Sequence, residues 1–195
     1  MKRILLPVLV IGILLLGACG AQTSVSEPEI PANYTTYTDE TGLFSISYPP
    51  SWVGESNPIP KSPDSQFYMV FSAIAPTGTS YSPRVLITVF ELSESDIQQN
   101  ITHDQIVDTL VTVHKEVYQN YYEFSRVKTT VGGREATIID WEGEDPQDLS
   151  KLRYLNTFIL ANHTVWIVQC LTLPEQFSNW EEDFQTIVRS FRILK

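Results

Sequence analysis

An α+β fold, with an antiparallel β-sheet flanked by helices, is predicted by three features of the sequence. Strand-like runs succeed one another across tight turns, most clearly around Gly132-Gly133 and around Ala161-Asn162-His163, and hairpins joined in sequence imply antiparallel pairing. Two segments carry apolar residues at helical spacing, and such stripes need a sheet face to cover them. The 195 residues are 43% hydrophobic and 11% aromatic, enough to bury one core without disulfides or a metal.

Met1, Lys2 and Arg3 precede an uncharged stretch from Ile4 to Ala18, a positive n-region followed by an apolar h-region. This stretch is shorter than the ~20 residues that span a bilayer, and polar Gln22, Thr23 and Ser24 follow it. Residues 1–18 therefore read as a signal peptide. The run closes as Leu16-Gly17-Ala18-Cys19, which resembles a bacterial lipobox and implies cleavage before a lipidated Cys19. A thiolate is the good nucleophile a chain offers for S-alkylation, and more than one acyl chain gives stable anchoring. Residues 19–33, with Pro28 and Pro31 and no hydrophobic periodicity, read as a tether that would span roughly 40 Å at about 3.3 Å per residue. The expected location is the extracytoplasmic face of a cell membrane.

A single domain is expected over residues 34–195. Tyr34 to Thr38 reads as a short strand closed by Asp39-Glu40-Thr41-Gly42. Phe44, Ile46 and Tyr48 alternate with serines up to Pro49-Pro50, and Trp52 follows as a cap. Asn57 to Ser65 reads as a loop, Phe67 to Ile74 as a strand, Thr77 to Pro83 as a loop and Val85 to Leu92 as another strand. Thr102-His103-Asp104-Gln105 fits a capping box and predicts a helix that fades near Asn120. Its apolar stripe is Ile106, Leu110, Val113 and Val117. Phe124 to Val131 and Arg134 to Trp141 form a hairpin, as do Leu152 to Leu160 and Val165 to Leu171. After Pro174, the residues Phe177, Trp180, Phe184, Ile187, Val188 and Phe191 predict a strongly amphipathic final helix, with Glu175 and the pair Arg189 and Arg192 complementing its dipole.

Gly42, Phe44, Ile46, Tyr48, Pro49 and Trp52 resemble the opening of PsbP-like domains. The Gly132-Gly133 hairpin, the strand ending Asp140-Trp141 and the closing Ile187-Val188-x-Ser190-Phe191 are similar to that family's second half. Leu43 is a departure, since the family places Phe directly after the Gly. The resemblance implies a PsbP-like α-β-α sandwich over residues 34–195 and a non-catalytic accessory role, and it carries over no functional residue.

The chemistry readable from the residues is sparse. The sequence holds no His-Glu-x-x-His, Gly-x-Ser-x-Gly, Ser-x-x-Lys, phosphate loop or Cys-x-x-Cys, so no enzyme activity and no cofactor are expected. A formal charge of −10, from 13 Lys+Arg and 23 Asp+Glu, excludes a nucleic-acid partner. Cys170 lies in the apolar run Thr164 to Leu171 and reads as a buried small hydrophobe. His103 and His114 read as solvated helix residues and His163 as a turn residue. Asp140, Glu142, Glu144, Asp145 and Asp148 form the densest acid cluster, the kind of oxygen-rich loop that calcium requires, although its spacing is that of no EF-hand and a solvated loop is the expectation. Tyr81, Tyr121 and Tyr122 are candidates for a partner face or for covers of the sheet edge. The functional expectation is a membrane-anchored lipoprotein whose domain binds an envelope protein, with small-molecule or divalent-cation binding as the alternative.

Overall fold

Tight turns organise most of the chain. In the computed structural model, which describes residues 29–59, 61–62, 65–78 and 81–195, the two predicted hairpins form one continuous meander. It runs through β6 (Gln119–Val131), β7 (Arg134–Glu144), β8 (Lys151–Ala161) and β9 (Thr164–Thr172). Gly132 and Gly133 close the first hairpin with φ of 57° and 75°, values that glycine adopts freely. Asn162 and His163 close the second at 51° and 62°, so its turn is two residues long.

The sheet continues through β3 (Val53–Ile59), β4 (Phe67–Ile74) and β5 (Arg84–Glu91), in the order β3-β4-β5-β9-β8-β7-β6 with every neighbouring pair antiparallel. A second, three-stranded sheet orders β1 (Thr35–Thr38), β2 (Phe44–Tyr48) and β10 (Arg192–Ile193) as β1-β2-β10. The helices are α1 (Glu94–Gln98), α2 (His103–Val117) and α3 (Phe177–Ser190). α2 covers one face of the large sheet, while α3 and the small sheet cover the other. The signal peptide, Cys19 and most of the tether lie outside the described residues.

Pleat alternation divides the core in two. On the α3 face, Val85, Ile87 and Val89 of β5 meet Trp166, Val168 and Cys170 of β9 together with Phe44, Phe71, Phe184, Ile187 and Phe191. Cys170 is fully buried there, as expected, and burial pushes its thiol well above the ordinary range. On the α2 face, Ile139, Trp141, Tyr154, Phe158 and Ile167 meet Ile106, Val107 and Val111.

Three expectations require correction, and one short helix had not been foreseen. Residues 53–59 form β3 where a loop was expected from Asn57 on, because pairing with β4 overrides a stretch whose only β-branched residues are Val53 and Ile59. Gly54 is needed there, since a Cβ would lie 2.6 Å from the Tyr48 hydroxyl. The short helix α1 carries no apolar stripe and is held by a capping box between Ser93 and Asp96. α2 begins at the predicted capping box, with the Gln105 amide donating to Thr102 Oγ1 at 3.3 Å and the Thr102 amide to Gln105 Oε1 at 2.8 Å, but ends at Val117 because β6 starts at Gln119. Its buried residues are His103, Ile106, Val107 and Val111, while Val113 and Val117 are each 46% exposed. The predicted stripe is thus one flank of the helix. Its centre line includes the two histidines, which an apolar pattern passes over.

Candidate functional site

The flank of α2 bearing Ile106, Leu110, Val113 and Val117 is turned away from β6, which the opposite flank meets through Asp104–Lys128 and Asp108–Arg126, and at its N-terminal end it stands beside Phe90 of β5. At the N-terminal end of this flank, Ile106 and Leu110 close a small apolar hollow with Phe90, Leu92 and Ile101. At the C-terminal end lies an open cleft of about 300 Å³, bounded by Tyr81, Arg84, Leu86, Tyr118, Asp148 and Gln169. Leu86 at the cleft and Phe90 at the hollow are both half-buried and share one face of β5. This trough combines an apolar wall with a polar end.

The acidic loop supplies that polar end, with only two of its five predicted carboxylates. Asp145 receives the Gln147 amide hydrogen at 2.8 Å, and Asp148 receives that of Ser150 at 2.9 Å, so each stabilises a turn of its own loop. Asp148 also accepts from the Tyr81 hydroxyl, which holds its carboxyl below the ordinary value. Asp140 and Glu142 turn instead to the α3 face. Asp140 takes two hydrogen bonds from Arg153, at 2.9 and 2.7 Å, and Glu142 lies 2.6 Å from Lys151. Glu144 stands opposite Lys151 in the β7–β8 register. The cluster is thus split between three carboxylates on one face of β7, two of them paired with Arg153 and Lys151, and two in the loop. Among the described residues, no three His, Cys, Asp or Glu side chains gather where they could hold a metal ion.

Beneath α2 lies an aromatic stack that no spacing in the sequence signals. Trp141 packs face to face with Tyr154 at 4.0 Å and stacks on Tyr121 at 5.0 Å and on His114 at 5.1 Å, while Tyr118 meets it edge-on. Of the three predicted partner-face tyrosines, Tyr121 belongs to this stack, Tyr81 lines the cleft, and Tyr122 is 57% exposed on β6. The helix histidines are not solvated. His103 is buried with its Nδ1 3.7 Å from Glu135, and His114 lies half-buried against Trp141 and Phe158, where burial lowers its pKa to about 4. His163 occupies the β8–β9 turn, as expected.

The lowered His114 pKa sets a pH dependence. Between about 4 and 6.5 the unfolded chain binds more protons than the folded one, so stability rises with pH and is lost as pH falls through this window. Urea melts at pH 7.5 and pH 5 are expected to differ by about 2 kcal/mol on this account, and His114→Phe is expected to flatten the difference. An equal slope in the variant would assign the effect to other groups.

The PsbP family model matches residues 32–193. Among solved structures, the cyanobacterial PsbP of Synechocystis sp. PCC 6803 superposes with a TM-score of 0.56 at 14% identity, covering 91% of this chain and 98% of that one. LpqN of Mycobacterium tuberculosis, described as involved in cell envelope biogenesis, gives 0.56 at 10% identity over 83% and 91%. The Pseudomonas aeruginosa protein PA94, described as a putative regulator, gives 0.52 at 13% identity over 81% and 95%. At these identities the likeness shows the fold. No curated protein matches the chain, and no helix among the described residues is long and apolar enough to cross a membrane.

Proposed function

Since the chain belongs to the PsbP family, we propose that it is a non-catalytic accessory lipoprotein, anchored through Cys19 to the extracytoplasmic face of a membrane, whose domain binds an envelope protein along the α2 trough. The observation carrying this reading is the uncovered flank of α2, where Val113 and Val117 stand in water beside a half-open sheet face. Apolar residues on a helix that already has a buried side are the mark of a surface meant to be covered. The acidic end of the trough, with Asp145 and Asp148, suits a partner that presents an apolar segment followed by basic residues. The fold shared with LpqN, a protein tied by its description to cell envelope biogenesis, supports the compartment. Loss of residues 1–18 removes two of the 13 basic residues and none of the 23 acidic ones. The mature domain would be repelled by anionic lipid and would stand off it on the tether.

A second reading, small-molecule binding, is favoured by one observation. Asn156 is fully buried on the α2 face with neither side-chain amide atom hydrogen-bonded, and the Thr137 hydroxyl on the neighbouring strand is likewise without a partner. Buried polar groups of this kind are costly unless something satisfies them.

Purification of the acylated protein from detergent extract separates the readings. A basic-apolar envelope protein is expected to co-purify with the wild type and to be lost from a Val113→Lys, Val117→Lys variant of unchanged melting temperature. Retention by that variant would overturn the trough as the binding surface, and a co-purified small molecule in place of a protein would promote the second reading. Mass spectrometry of the mature N-terminus is expected to show acylated Cys19, and an unmodified cysteine would remove the anchor. Millimolar calcium is expected to leave the melting temperature unchanged, because the five carboxylates do not converge.

A further inference from the structure

The large sheet has two edges, and they are built differently. At one end, β3 is short, carries Pro58 and is interrupted by a register shift between Ser56 and Ile59, all features that discourage strand addition. At the other end, β6 runs for 13 residues and, among the described residues, pairs on one side only, with β7. Tyr122, Phe124 and Val127 are 57%, 44% and 53% exposed along it. Its two cations do not project from the edge as guards. Arg126 is drawn back to Asp108 at 2.6 Å and to Glu123 at 3.0 Å, and Lys128 to Asp104 at 2.5 Å.

A bulge gives this edge a twofold pattern. Glu123 stands opposite Trp141 and Ser125 opposite Asp140, so Phe124 is an extra residue in β6. Ser125 shares the α3 face with Asp140, and so does Phe124, whose ring lies 4.4 Å from the Arg153 guanidinium carbon. Two successive residues therefore point the same way. In a regular strand, faces alternate, and an antiparallel twofold axis through the sheet must pass beside a residue. With this bulge, the faces match about an axis between Phe124 and Ser125 instead. The opposed pairs would be Phe124 with Ser125, Glu123 with Arg126, Tyr122 with Val127, and Tyr121 with Lys128. Every pair lies on one face: Tyr121, Glu123, Arg126 and Lys128 on the α2 side, the other four on the α3 side. The pairs are also chemically matched, an opposite-charge pair and an aromatic with a β-branched residue among them.

We infer that a second copy of this chain pairs antiparallel along β6 over residues 121–128, joining two large sheets into one. Charge does not oppose pairing at this edge. The carboxylates beside it, Glu123, Asp104 and Asp108, are paired with Arg126 and Lys128, which offsets the repulsion expected between two acidic molecules. The inference stands apart from the α2 trough, which lies over β5 and β9 and stays open in such a dimer.

Sedimentation equilibrium of the full chain in density-matched detergent tests it. The wild type is expected to show twice the monomer mass. Glu123→Arg and Arg126→Glu each place like charges opposite one another at both symmetry-related pairs, and each alone is expected to be monomeric. Mixed one to one, they restore both opposite-charge pairs, and dimers are expected to return. Recovery on mixing requires that both variants are folded and that residue 123 faces residue 126 of the other copy. As a check independent of these charges, Ser125→Cys is expected to form an intermolecular disulfide that the wild type, which already carries Cys19, does not form under the same mild oxidation, Cys170 being buried. A monomeric wild type, single variants that remain dimeric, or a mixture that stays monomeric while Ser125→Cys fails to cross-link would each overturn the inference.

Discussion

Replacing Trp141 with alanine is expected to cost about 3 to 5 kcal/mol of stability in urea melts, the range for deleting a large buried aromatic side chain. The indole is 1% exposed and forms the centre of the stack with Tyr154, Tyr121, Tyr118 and His114. Its removal would leave rings on several sides facing a cavity that they cannot all collapse to fill, since Tyr154 sits on a central strand and Tyr118 on the short link between α2 and β6. Aromatic pairing adds about 0.5 to 1.5 kcal/mol per well-placed pair beyond area burial. A second signature accompanies the loss. Water admitted beside His114 would relieve the desolvation that holds its pKa at about 4, so the difference between pH 7.5 and pH 5 should shrink in Trp141→Ala. A cost below about 1.5 kcal/mol would show that the stack is not a principal support of the α2 face.

Phe184→Ala is expected to be comparably severe, at about 3 to 5 kcal/mol, and Trp180→Ala distinctly milder, at about 1 to 2 kcal/mol. Both residues belong to the predicted stripe of α3, yet the helix places them differently. Phe184 is fully buried between Phe177 and Trp52. Trp180 sits at the margin, half-buried and edge-on to Trp52 at 5.8 Å. A ring that already contacts water leaves a smaller cavity and loses less transfer free energy. Parallel denaturant melts of the two variants check the ranking, and equal costs would mean that Trp180 is covered by something outside the described residues.

How far the sequence was legible follows from where its signals are local. Turns and caps are local, and the Gly132-Gly133 turn, the Asn162-His163 turn and the Thr102–Gln105 capping box stand where they were expected. The final helix was legible because its stripe is wide and aromatic. β3 was not, because Val53 to Ile59 has strand character only through its partner β4. The α2 stripe illustrates a subtler limit: Ile106, Leu110, Val113 and Val117 satisfy helical periodicity, but periodicity cannot say whether a stripe faces the core squarely or from the side. The real centre line runs through His103 and His114, which only the fold can bury. In the trough, Tyr81 was visible as a surface aromatic, whereas Arg84 and Gln169 were passed over within apolar strands. Gln169 did leave a trace, as the one polar residue between Val165 and Leu171. The acid cluster was legible only as neighbours in the chain: Asp140 and Glu142 lie on the α3 face of β7, paired with Arg153 and Lys151, while Asp145 and Asp148 stand in the loop beyond it.

The small sheet has a bearing on how the chain reaches this state. β2 takes β1 as one neighbour and β10 as the other, with Ser45 opposite Arg192 and Phe44 opposite Ile193, so the first and last strands of the domain are held by the same five residues. In the same way β5 waits for β9, Val85 pairing with Cys170. The β2–β10 pairing cannot form until residue 193 is present, nor the β5–β9 pairing until residue 171 is. The β6–β9 meander, by contrast, is built from near neighbours and can form early as a nucleus onto which the N-terminal strands dock. Such long-range closures carry a large loop entropy and place folding in the slow class of β-rich topologies, on the order of milliseconds to seconds. For a chain delivered N-terminus first, the interval before β10 arrives is one in which β2 has an open edge. A vulnerable edge strand exists transiently in every molecule, and it is closed only once Arg192 and Ile193 have emerged.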